Sequence, residues 1–422
     1  MNVYDSELVA GILEKENYQR AETIETADMV FLNTCSVREH AEDKVNARLD
    51  ALNALKRKHK GAIIGVLGCM AQNLKDSLLE TKPYVDIILG PDSYRRLPEL
   101  INQRAQKMNH LVDTKLSKME LYEGLFPANR EGINAWISIT RGCDKFCTFC
   151  IVPFTRGRER SRTIENIMTE AELVVNEGFK EITLLGQNVN SFHSEGNNFS
   201  DLLRAVSKID GLQRVRYTSP HPQDFDDELI DLHAENPKIC NHIHFPLQAG
   251  SDRVLTRMNR TYTKAHYIDL ALKMRERIRG VSITTDMIVG FPGETDADFD
   301  ETLAVMEAVK FDAAFTFKYS ARPGTKAAEY VDSVPEEIKQ KRLEKMIEVQ
   351  RTHTLYRNKL HIGEVMSVLV EKDSKKSKHQ YQGRTTSNKI VVFNKGLEKI
   401  GDKVLVEIEE ASGITLFGKI VN

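Results

Sequence analysis

The sequence predicts an α/β protein in three parts: an N-terminal parallel α/β unit, a central partial β/α barrel of the TIM type, and a small C-terminal antiparallel β-barrel. Three observations lead to this prediction. Apolar runs alternate with helical periodicity up to about residue 332, as in parallel sheets covered by helices. From about residue 362 the pattern changes to short alternating runs separated by glycine turns. A chain of 422 residues is also long enough for two to four domains.

The composition is that of a globular protein. Hydrophobic residues make up 41% and charged residues 28% of the chain, the formal net charge is −2, and no apolar run approaches the roughly 18 residues of a membrane span. With no recognisable signal peptide, we expect a cytoplasmic monomer without a membrane partner. There the six cysteines stay reduced, so clustered cysteines indicate metal binding or catalysis rather than disulfides. A near-neutral chain binds nucleic acid only through a local basic surface.

The N-terminal unit, residues 1–115, has three apolar strand candidates, and a cysteine follows each of the first two. The candidates are "DMVFLNTC", "GAIIGVLGC" and "VDIILG", with Cys35 and Cys69 at the ends of the first two runs. Ligands bind at the carboxyl edge of open α/β sheets, so two cysteines in equivalent positions indicate a site there, whereas a single one would be structural. A helix begins almost at once, with Asp5 or Ser6 as its predicted cap and no strand before it.

The central unit, residues 130–357, follows a polar connector from about Asp113 to Gly132. Its strand candidates are "AWISIT", "EITLLG", "RVRYTS", "HIHFPL", "SITTDMIVG" and "AFTFKYS", which predict a partial or full barrel with His242 and His244 in its interior. Residues 358–422 contain "VMSVLVE", "KIVVFN", "DKVLVEIEEA" and "ITLFGKIV", which predict a small OB-like barrel. The basic run "EKDSKKSKHQ" is predicted to be a flexible loop.

Three cysteines, Cys143, Cys147 and Cys150, follow the first barrel strand with the spacing Cx3Cx2C. A structural zinc ion needs four ligands, commonly in two spaced pairs, and no second pair or nearby histidine completes such a site. Iron–sulfur clusters are held by cysteine thiolates, and three thiolates on a 4Fe-4S cluster leave one iron open to bind a substrate or cofactor. The isolated Cys240 is predicted to be a buried thiol.

This spacing, with Phe149 before the last cysteine and the loop at the end of a barrel strand, resembles the radical S-adenosylmethionine enzymes. The resemblance implies that the open iron chelates the amino and carboxylate groups of S-adenosyl-L-methionine, whose reductive cleavage yields a 5′-deoxyadenosyl radical. It also implies cofactor contacts after three further strands, where glycines taken singly would only be turns. These contacts are Gln187 and Asn188 in "TLLGQNVN", Gln248 and Ser251 in "HFPLQAGSDRVL", and Ile288 and Gly290 in "DMIVGFPGE".

The N-terminal segments "NTCSVREHAEDKV" and "GVLGCMAQ" resemble the methylthiotransferases of that superfamily. The resemblance implies an auxiliary 4Fe-4S cluster on Cys35, Cys69 and a third cysteine from a Gly-Cys-x-Met-Asn motif, which would lie two residues before Met1. We interpret this as truncation of the chain after that cysteine, and the alternative is a cluster that has lost a ligand. In both cases we expect an auxiliary cluster that is incomplete or labile.

Finer matches in "FCTFCIVPFTRGRERSR" and "GSDRVLTRMNRTYT" resemble family members that methylthiolate N6-isopentenyladenosine at position 37 of tRNA. Members acting on N6-threonylcarbamoyladenosine 37 are the first alternative. Members acting on an aspartate of a ribosomal protein, and a non-catalytic metal-containing RNA-binding protein, are further alternatives. The resemblance implies one S-adenosylmethionine as methyl donor and another as radical source. It also implies a reductant such as a flavodoxin-like protein, and a sulfur source.

Basic residues in two places are expected to bind the anticodon stem-loop of tRNA. Arg156 and Arg158 follow the cysteine loop directly, where they could instead pair with the cofactor carboxylate. The C-terminal segment resembles the TRAM domain, an RNA-binding module. Its predicted RNA contacts are Arg384, Thr385, Asn388 and Lys389.

Overall fold

The structure, a computed structural model, describes residues 1–35, 39–59, 61–106, 110–128, 130–330 and 334–421, with the backbone alone for residues 39–43. The Ser36-Val37-Arg38 part of the "NTCSVREHAEDKV" motif lies outside the described residues. Within these ranges, no helix is both long enough and apolar enough to cross a bilayer.

Thirteen helices and seventeen strands are formed by the described residues. The helices are α1 (Asn2–Lys15), α2 (Glu39–Lys58), α3 (Cys69–Leu74), α4 (Ser77–Thr81), α5 (Leu97–Gln106), α6 (Val152–Arg156), α7 (Ile164–Asn176), α8 (Phe199–Ser207), α9 (Asp227–Glu235), α10 (Asp252–Arg257), α11 (Lys264–Arg277), α12 (Asp296–Val309) and α13 (Glu336–Lys359). The strands are β1 (Met29–Thr34), β2 (Ile63–Gly68), β3 (Ile87–Leu89), β4 (Leu111–Asp113), β5 (Asn134–Ser138), β6 (Thr140–Arg141), β7 (Arg160–Ser161), β8 (Glu181–Leu185), β9 (Arg214–Tyr217), β10 (His242–His244), β11 (Ser282–Val289), β12 (Ala313–Lys318), β13 (Val365–Ser374), β14 (Ser377–Thr385), β15 (Ile390–Asn394), β16 (Lys403–Ser412) and β17 (Thr415–Ile420).

The N-terminal unit is a parallel sheet in the order β1-β2-β3-β4, packed between helices. The three predicted strands are present, and β4 is an addition, because a three-residue strand leaves little periodicity to detect. Leu8 and Ile12 of α1 pack on one face of the sheet, and Leu49 and Leu52 of α2 pack on the other. The predicted cap at Asp5 was wrong, since α1 begins at Asn2 and Asp5 lies buried within it.

The central unit is a curved parallel sheet built from all six predicted strands. Two three-stranded sheets, β5-β8-β9 and β10-β11-β12, are joined by a parallel bridge between Val215 and Ile239. Side chains alternate along each strand, so one set packs under the helices and the other faces the barrel lumen. Within the described ranges β5 and β12 are the two outer strands of this sheet and do not pair with each other, so the barrel is partial.

The C-terminal unit is a closed five-stranded barrel in the order β13-β14-β15-β17-β16. Its pairs are antiparallel except β15 with β17, which run parallel. The predicted loop "EKDSKKSKHQ" is a β-hairpin instead, with only two residues between β13 and β14. The alternating apolar signal is absent there because both strands project into solvent at that end, where their side chains are exposed or half-buried.

Two arginines of β9 attach the C-terminal barrel to the central one. Arg214 and Arg216 project into the lumen and donate to main-chain carbonyls of the C-terminal barrel at 2.7–3.1 Å, and Arg216 also pairs with Glu181 of β8 at 2.9 Å. Those carbonyls belong to Ser367, Arg384, Thr385 and Thr386. Because the amino ends of parallel strands meet at one edge, the C-terminal barrel covers the end of the lumen opposite the cysteine loop.

A buried carboxylate, Asp312, reinforces the same junction. It accepts from Lys389 of the C-terminal barrel at 2.6 Å and from Arg275 at 2.9 Å, with Arg357 3.6 Å away. Burial acts to raise the pKa of Asp312, but the charges of these three cations outweigh it and hold the pKa at about 2. The carboxylate is therefore ionised at neutral pH, and its charge is compensated.

Replacing Asp312 by alanine tests this junction. Removing one partner of a buried ion pair leaves an uncompensated charge, and we expect a loss of ~3–5 kcal/mol in the free energy of unfolding. At about 2–4 °C per kcal/mol, the melting temperature in scanning calorimetry should fall by several degrees. Glu348→Ala, which removes an exposed pair with Lys345, is the control and should change it very little. Equal shifts in both variants would contradict the role of Asp312.

Candidate active site

The cysteine loop lies between β6 and α6, at the carboxyl end of the barrel strands. Its backbone bonds to three neighbouring segments: Cys143 N–H donates to the carbonyl of Gly157, Thr148 N–H to that of Met258, and Gly142 N–H to Gln187 Oε1. Gly142 has φ +80°, and a Cβ there would lie 2.1 Å from the carbonyl oxygen of Arg158. The loop therefore requires glycine at its entry.

The three thiols of this loop share one partly buried environment. Burial raises the pKa of Cys143 to about 11 and that of Cys150 to about 12, and the neighbouring Cys147 thiol adds to both shifts. Arg260 donates to Cys147 Sγ at 3.3 Å, and it stays charged because its contacts with Tyr262 and Cys147 outweigh its burial. As free thiols, Cys143 and Cys150 would stay protonated at neutral pH, so binding a cationic metal centre is what would convert them to thiolates.

The placement of three thiols along one loop suits an iron–sulfur cluster. The described ranges contain no group of three His, Cys, Asp or Glu side chains arranged around one metal ion. A tetrahedral zinc site would require such convergence. In a 4Fe-4S cluster each thiolate binds a different iron, so three thiols distributed along one loop suit it.

The end of β8 presents two buried polar atoms of opposite type next to the loop. Gln187 accepts from Gly142 through Oε1, while its Nε2 has no hydrogen-bond partner among the described residues. Asn188 donates to Asp224 at 2.9 Å, and its Oδ1 is likewise buried and unpartnered. An orphaned donor and an orphaned acceptor together suit a ligand that carries both amino and carboxylate groups.

The other predicted cofactor residues differ in whether their side chains already have partners within the protein. Phe149 contacts Phe291 edge to face, with ring centroids 6.5 Å apart. Ile288 is half-buried on β11, and the backbone of Gln248 pairs with that strand. Gly290, with φ +71°, borders a cavity of about 240 Å³. Ser251 is fully buried and donates to Asp298 at 2.6 Å, so its hydroxyl already has a partner within the protein.

Cys35 and Cys69 lie side by side at the carboxyl edge of the N-terminal sheet. Strands β1 and β2 end in register at the paired residues Thr34 and Gly68, and Cys35 and Cys69 are the next residue in each case. Arg156, at the end of α6, donates to Cys69 Sγ at 3.3 Å, so the helix that follows the cysteine loop contacts this second site. The arrangement places two thiols next to the loop that carries three more.

Three family models match the chain in the same order as its structural units. Residues 1–90 match the uncharacterized protein family UPF0004. Residues 137–306 match the radical SAM superfamily, and residues 359–421 match the TRAM domain.

Full-length relatives decide the family. A tRNA-2-methylthio-N(6)-dimethylallyladenosine synthase of Porphyromonas gingivalis is 45% identical to this chain, and the match covers 100% of the chain and 93% of the relative. Proteins with the same name from Bacteroides fragilis and Carboxydothermus hydrogenoformans are 47% and 45% identical, with 93% and 97% of their lengths covered. The chain belongs to the tRNA-2-methylthio-N(6)-dimethylallyladenosine synthase family.

Solved structures support the same architecture for this family member. The radical S-adenosylmethionine methyltransferase TsrM from Kitasatospora setae, with cobalamin and a 4Fe-4S cluster bound, matches with a TM-score of 0.58 at 16% identity, over 78% of this chain and 71% of that one. The cobalamin-dependent radical enzyme OxsB matches with a TM-score of 0.53 at 13% identity, over 82% of this chain and 53% of that one. At these identities the likeness shows the fold alone.

The structure buries three of the predicted RNA contacts. Lys389 is only 7% exposed and is held by Asp312, and Thr385 lies in the same junction. Arg156 is buried against Asp5 at 2.6 Å. Arg158 is different: its side chain is 71% exposed, with Asp144 2.8 Å away.

The two remaining predicted contacts lie on the C-terminal barrel. Arg384 has a half-exposed side chain 3.8 Å from Glu371. Asn388 is half-buried in a turn with φ +62°, and its N–H donates to the carbonyl of Thr385.

Sequence reasoning missed three residues of this site. The first is Asp5, which binds Arg141 and Arg156. Its spacing from Leu8 and Ile12 places it on the buried face of α1, and this spacing could have indicated its burial. His221, after β9, is buried with Nε2 unpartnered, and burial together with the charges of Arg260 and Lys145 lowers its pKa to about 2. Its position directly after a barrel strand could have indicated a role in the site.

The third residue, Arg260, could not have been predicted, because an isolated arginine has no diagnostic spacing.

Gly142→Ala tests the shape of the loop. The added Cβ would meet the Arg158 carbonyl, so the loop should shift and the thiols should lose their common geometry. We expect iron content after anaerobic reconstitution to fall well below that of the wild type. Gly124→Ala is the matched control, because Gly124 also has positive φ, +71°, but open space around it. Wild-type iron content in Gly142→Ala would show that the clash does not matter.

Proposed function

We propose that this protein converts N6-isopentenyladenosine at position 37 of tRNA to its 2-methylthio derivative. The observation that carries the proposal is 45–47% identity over the whole chain to proteins that bear that synthase name. The reported relatives share this one name, so the threonylcarbamoyl-adenosine and ribosomal-protein alternatives are not proposed. We also propose that the chain is divided into three domains, residues 1–115, 130–357 and 358–422, with the active site at the junction of the first two.

Two sets of thiols would hold the iron–sulfur clusters of this reaction. Cys143, Cys147 and Cys150 would bind the cluster that cleaves S-adenosylmethionine, and Cys35 and Cys69 would supply two ligands of the auxiliary cluster. When bound, the clusters would supply, from S-adenosylmethionine, a 5′-deoxyadenosyl radical that takes the C2 hydrogen of the base and a methylthio group that replaces it. A reductant protein, a sulfur source and a monomeric state are part of the proposal.

The residues around the thiols would position the cofactor. The free Nε2 of Gln187 would donate to its carboxylate, and the free Oδ1 of Asn188 would accept from its amino group. Phe149 would shield the cluster from water on one side. Arg156 would act as a positioning residue, since its guanidinium bonds to both Asp5 and Cys69 and so fixes the auxiliary thiol relative to the radical loop.

Two cysteine variants separate the two halves of the proposed reaction. In the reconstituted enzyme with dithionite, S-adenosylmethionine and isopentenylated tRNA, Cys147→Ala should abolish formation of 5′-deoxyadenosine. Cys69→Ala should retain it but give no methylthio product in digested tRNA. Cys240→Ala is the control, because this thiol is buried away from both sites and should leave both products. Methylthio product from Cys69→Ala would contradict the assignment.

Arg158 offers a test of RNA binding that avoids the buried residues. Each phosphate contact releases counterions, so Arg158→Ala should weaken tRNA binding and reduce the slope of log K against log salt by about 1. Cleavage of S-adenosylmethionine without tRNA should be unchanged. Lys345→Ala, an exposed cation on α13, is the matched control. If both variants weaken binding equally, Arg158 makes no specific contact.

A further inference from the structure

Phe315 is an exposed aromatic side chain on a strand of the central barrel. Its ring is 53% exposed, although it belongs to β12 and pairs in register with Asp286 of β11. The ring lies edge to face against His244, with centroids 5.9 Å apart, so Phe315, Asp286 and His244 share the lumen face. Leaving a large apolar ring half in water costs hydrophobic free energy that contact with a ligand would recover.

A chain of hydrogen bonds orients the polar groups beside this ring. Nε2 of His244 donates to Oδ2 of Asp286 at 3.2 Å, since Oδ2 is an acceptor. Nδ1 of His244 and Nε2 of His242 both lie within hydrogen-bonding distance of the Thr284 hydroxyl, at 3.0 and 3.1 Å. The chain fixes the Asp286 carboxylate, 30% exposed, as an acceptor beside an aromatic face.

This trio, Phe315, His244 and Asp286, lies on the open side of the lumen. The C-terminal barrel covers one end of the lumen, and the cysteine loop lies at the other. On the β5 side, Trp136 and Leu185 pack against the core of the N-terminal unit. Ile288 and Phe317 pair one step further along the same face, towards the cofactor edge. A ligand stacked on Phe315 would therefore lie on the same lumen face as Ile288, one of the predicted cofactor residues.

We propose that Phe315, His244 and Asp286 form the binding site for the target nucleobase, with Phe315 stacking on its ring and Asp286 accepting its exocyclic N–H. The inference rests on the proposed RNA substrate and extends it to named residues. A carboxylate repels phosphate but accepts from a neutral N–H donor, and an aromatic ring suits a planar partner. A purine with an exocyclic amine has both a planar face and a neutral donor, whereas a ribose has hydroxyl donors but no planar face, and a phosphate has neither.

Binding of two RNA hairpins tests the stacking contact without any turnover. An anticodon hairpin with adenosine at position 37, and the same hairpin abasic there, would be titrated against the reconstituted enzyme under anaerobic conditions. The wild type should bind the adenosine hairpin about 10-fold more tightly or better. Phe315→Leu, which keeps apolar volume without an aromatic face, should reduce the ratio to near 1, and Phe315→Trp should retain it. Tyr356→Ala, at a similarly exposed aromatic residue on α13, should leave it unchanged.

The polar contact is tested with a hairpin that carries purine riboside, which lacks the exocyclic amine. The wild type should favour adenosine over purine, and Asp286→Asn should lose that preference while still favouring either base over the abasic site. A wild-type ratio near 1, or equal weakening of both hairpins by Phe315→Leu, would overturn the inference. A retained ratio without methylthio product would leave the base site standing and reject the proposed function.

Discussion

The carboxylate of Asp5 joins the N-terminal unit to the central barrel. It accepts from Arg156 at 2.6 Å and lies 3.4 Å from Arg141, and all three side chains are buried. An unpaired charge in such a place would cost several kcal/mol, so each of the three depends on the others. Arg141 precedes the cysteine loop and Arg156 ends the helix that follows it. Both ends of the loop are therefore anchored to one carboxylate of another unit.

That anchor links the two cysteine sites mechanically as well as electrostatically. The guanidinium that binds Asp5 also reaches Cys69 at 3.3 Å, so a shift of α6 would move a hydrogen bond at the N-terminal sheet. Nη1 of Arg156 is buried and has no partner among the described residues. The guanidinium beside Cys69 thus keeps a free donor, which suits an anionic ligand there.

The sequence was sufficient wherever a local pattern determines the outcome. Apolar runs predicted all six barrel strands, and the spacing of Cys143, Cys147 and Cys150 predicted one shared loop. It failed where a long-range contact decides. Lys389 looks like an exposed basic residue, yet its partner Asp312 is 77 positions away in the chain. Asp5 likewise meets Arg156 across 151 positions. Strand β14 was missed because a charged hairpin has no apolar alternation to detect.

The attachment of the C-terminal barrel has a consequence for how this protein tolerates change. Arg214 and Arg216 donate to main-chain carbonyls, and every residue type supplies the same carbonyl. Side chains at positions 367, 384 and 386 can therefore vary without weakening the attachment of the C-terminal barrel. Homologous proteins with different side chains at these positions should still dock the barrel in the same orientation, so the exposed surface of the barrel and its attachment can diversify independently.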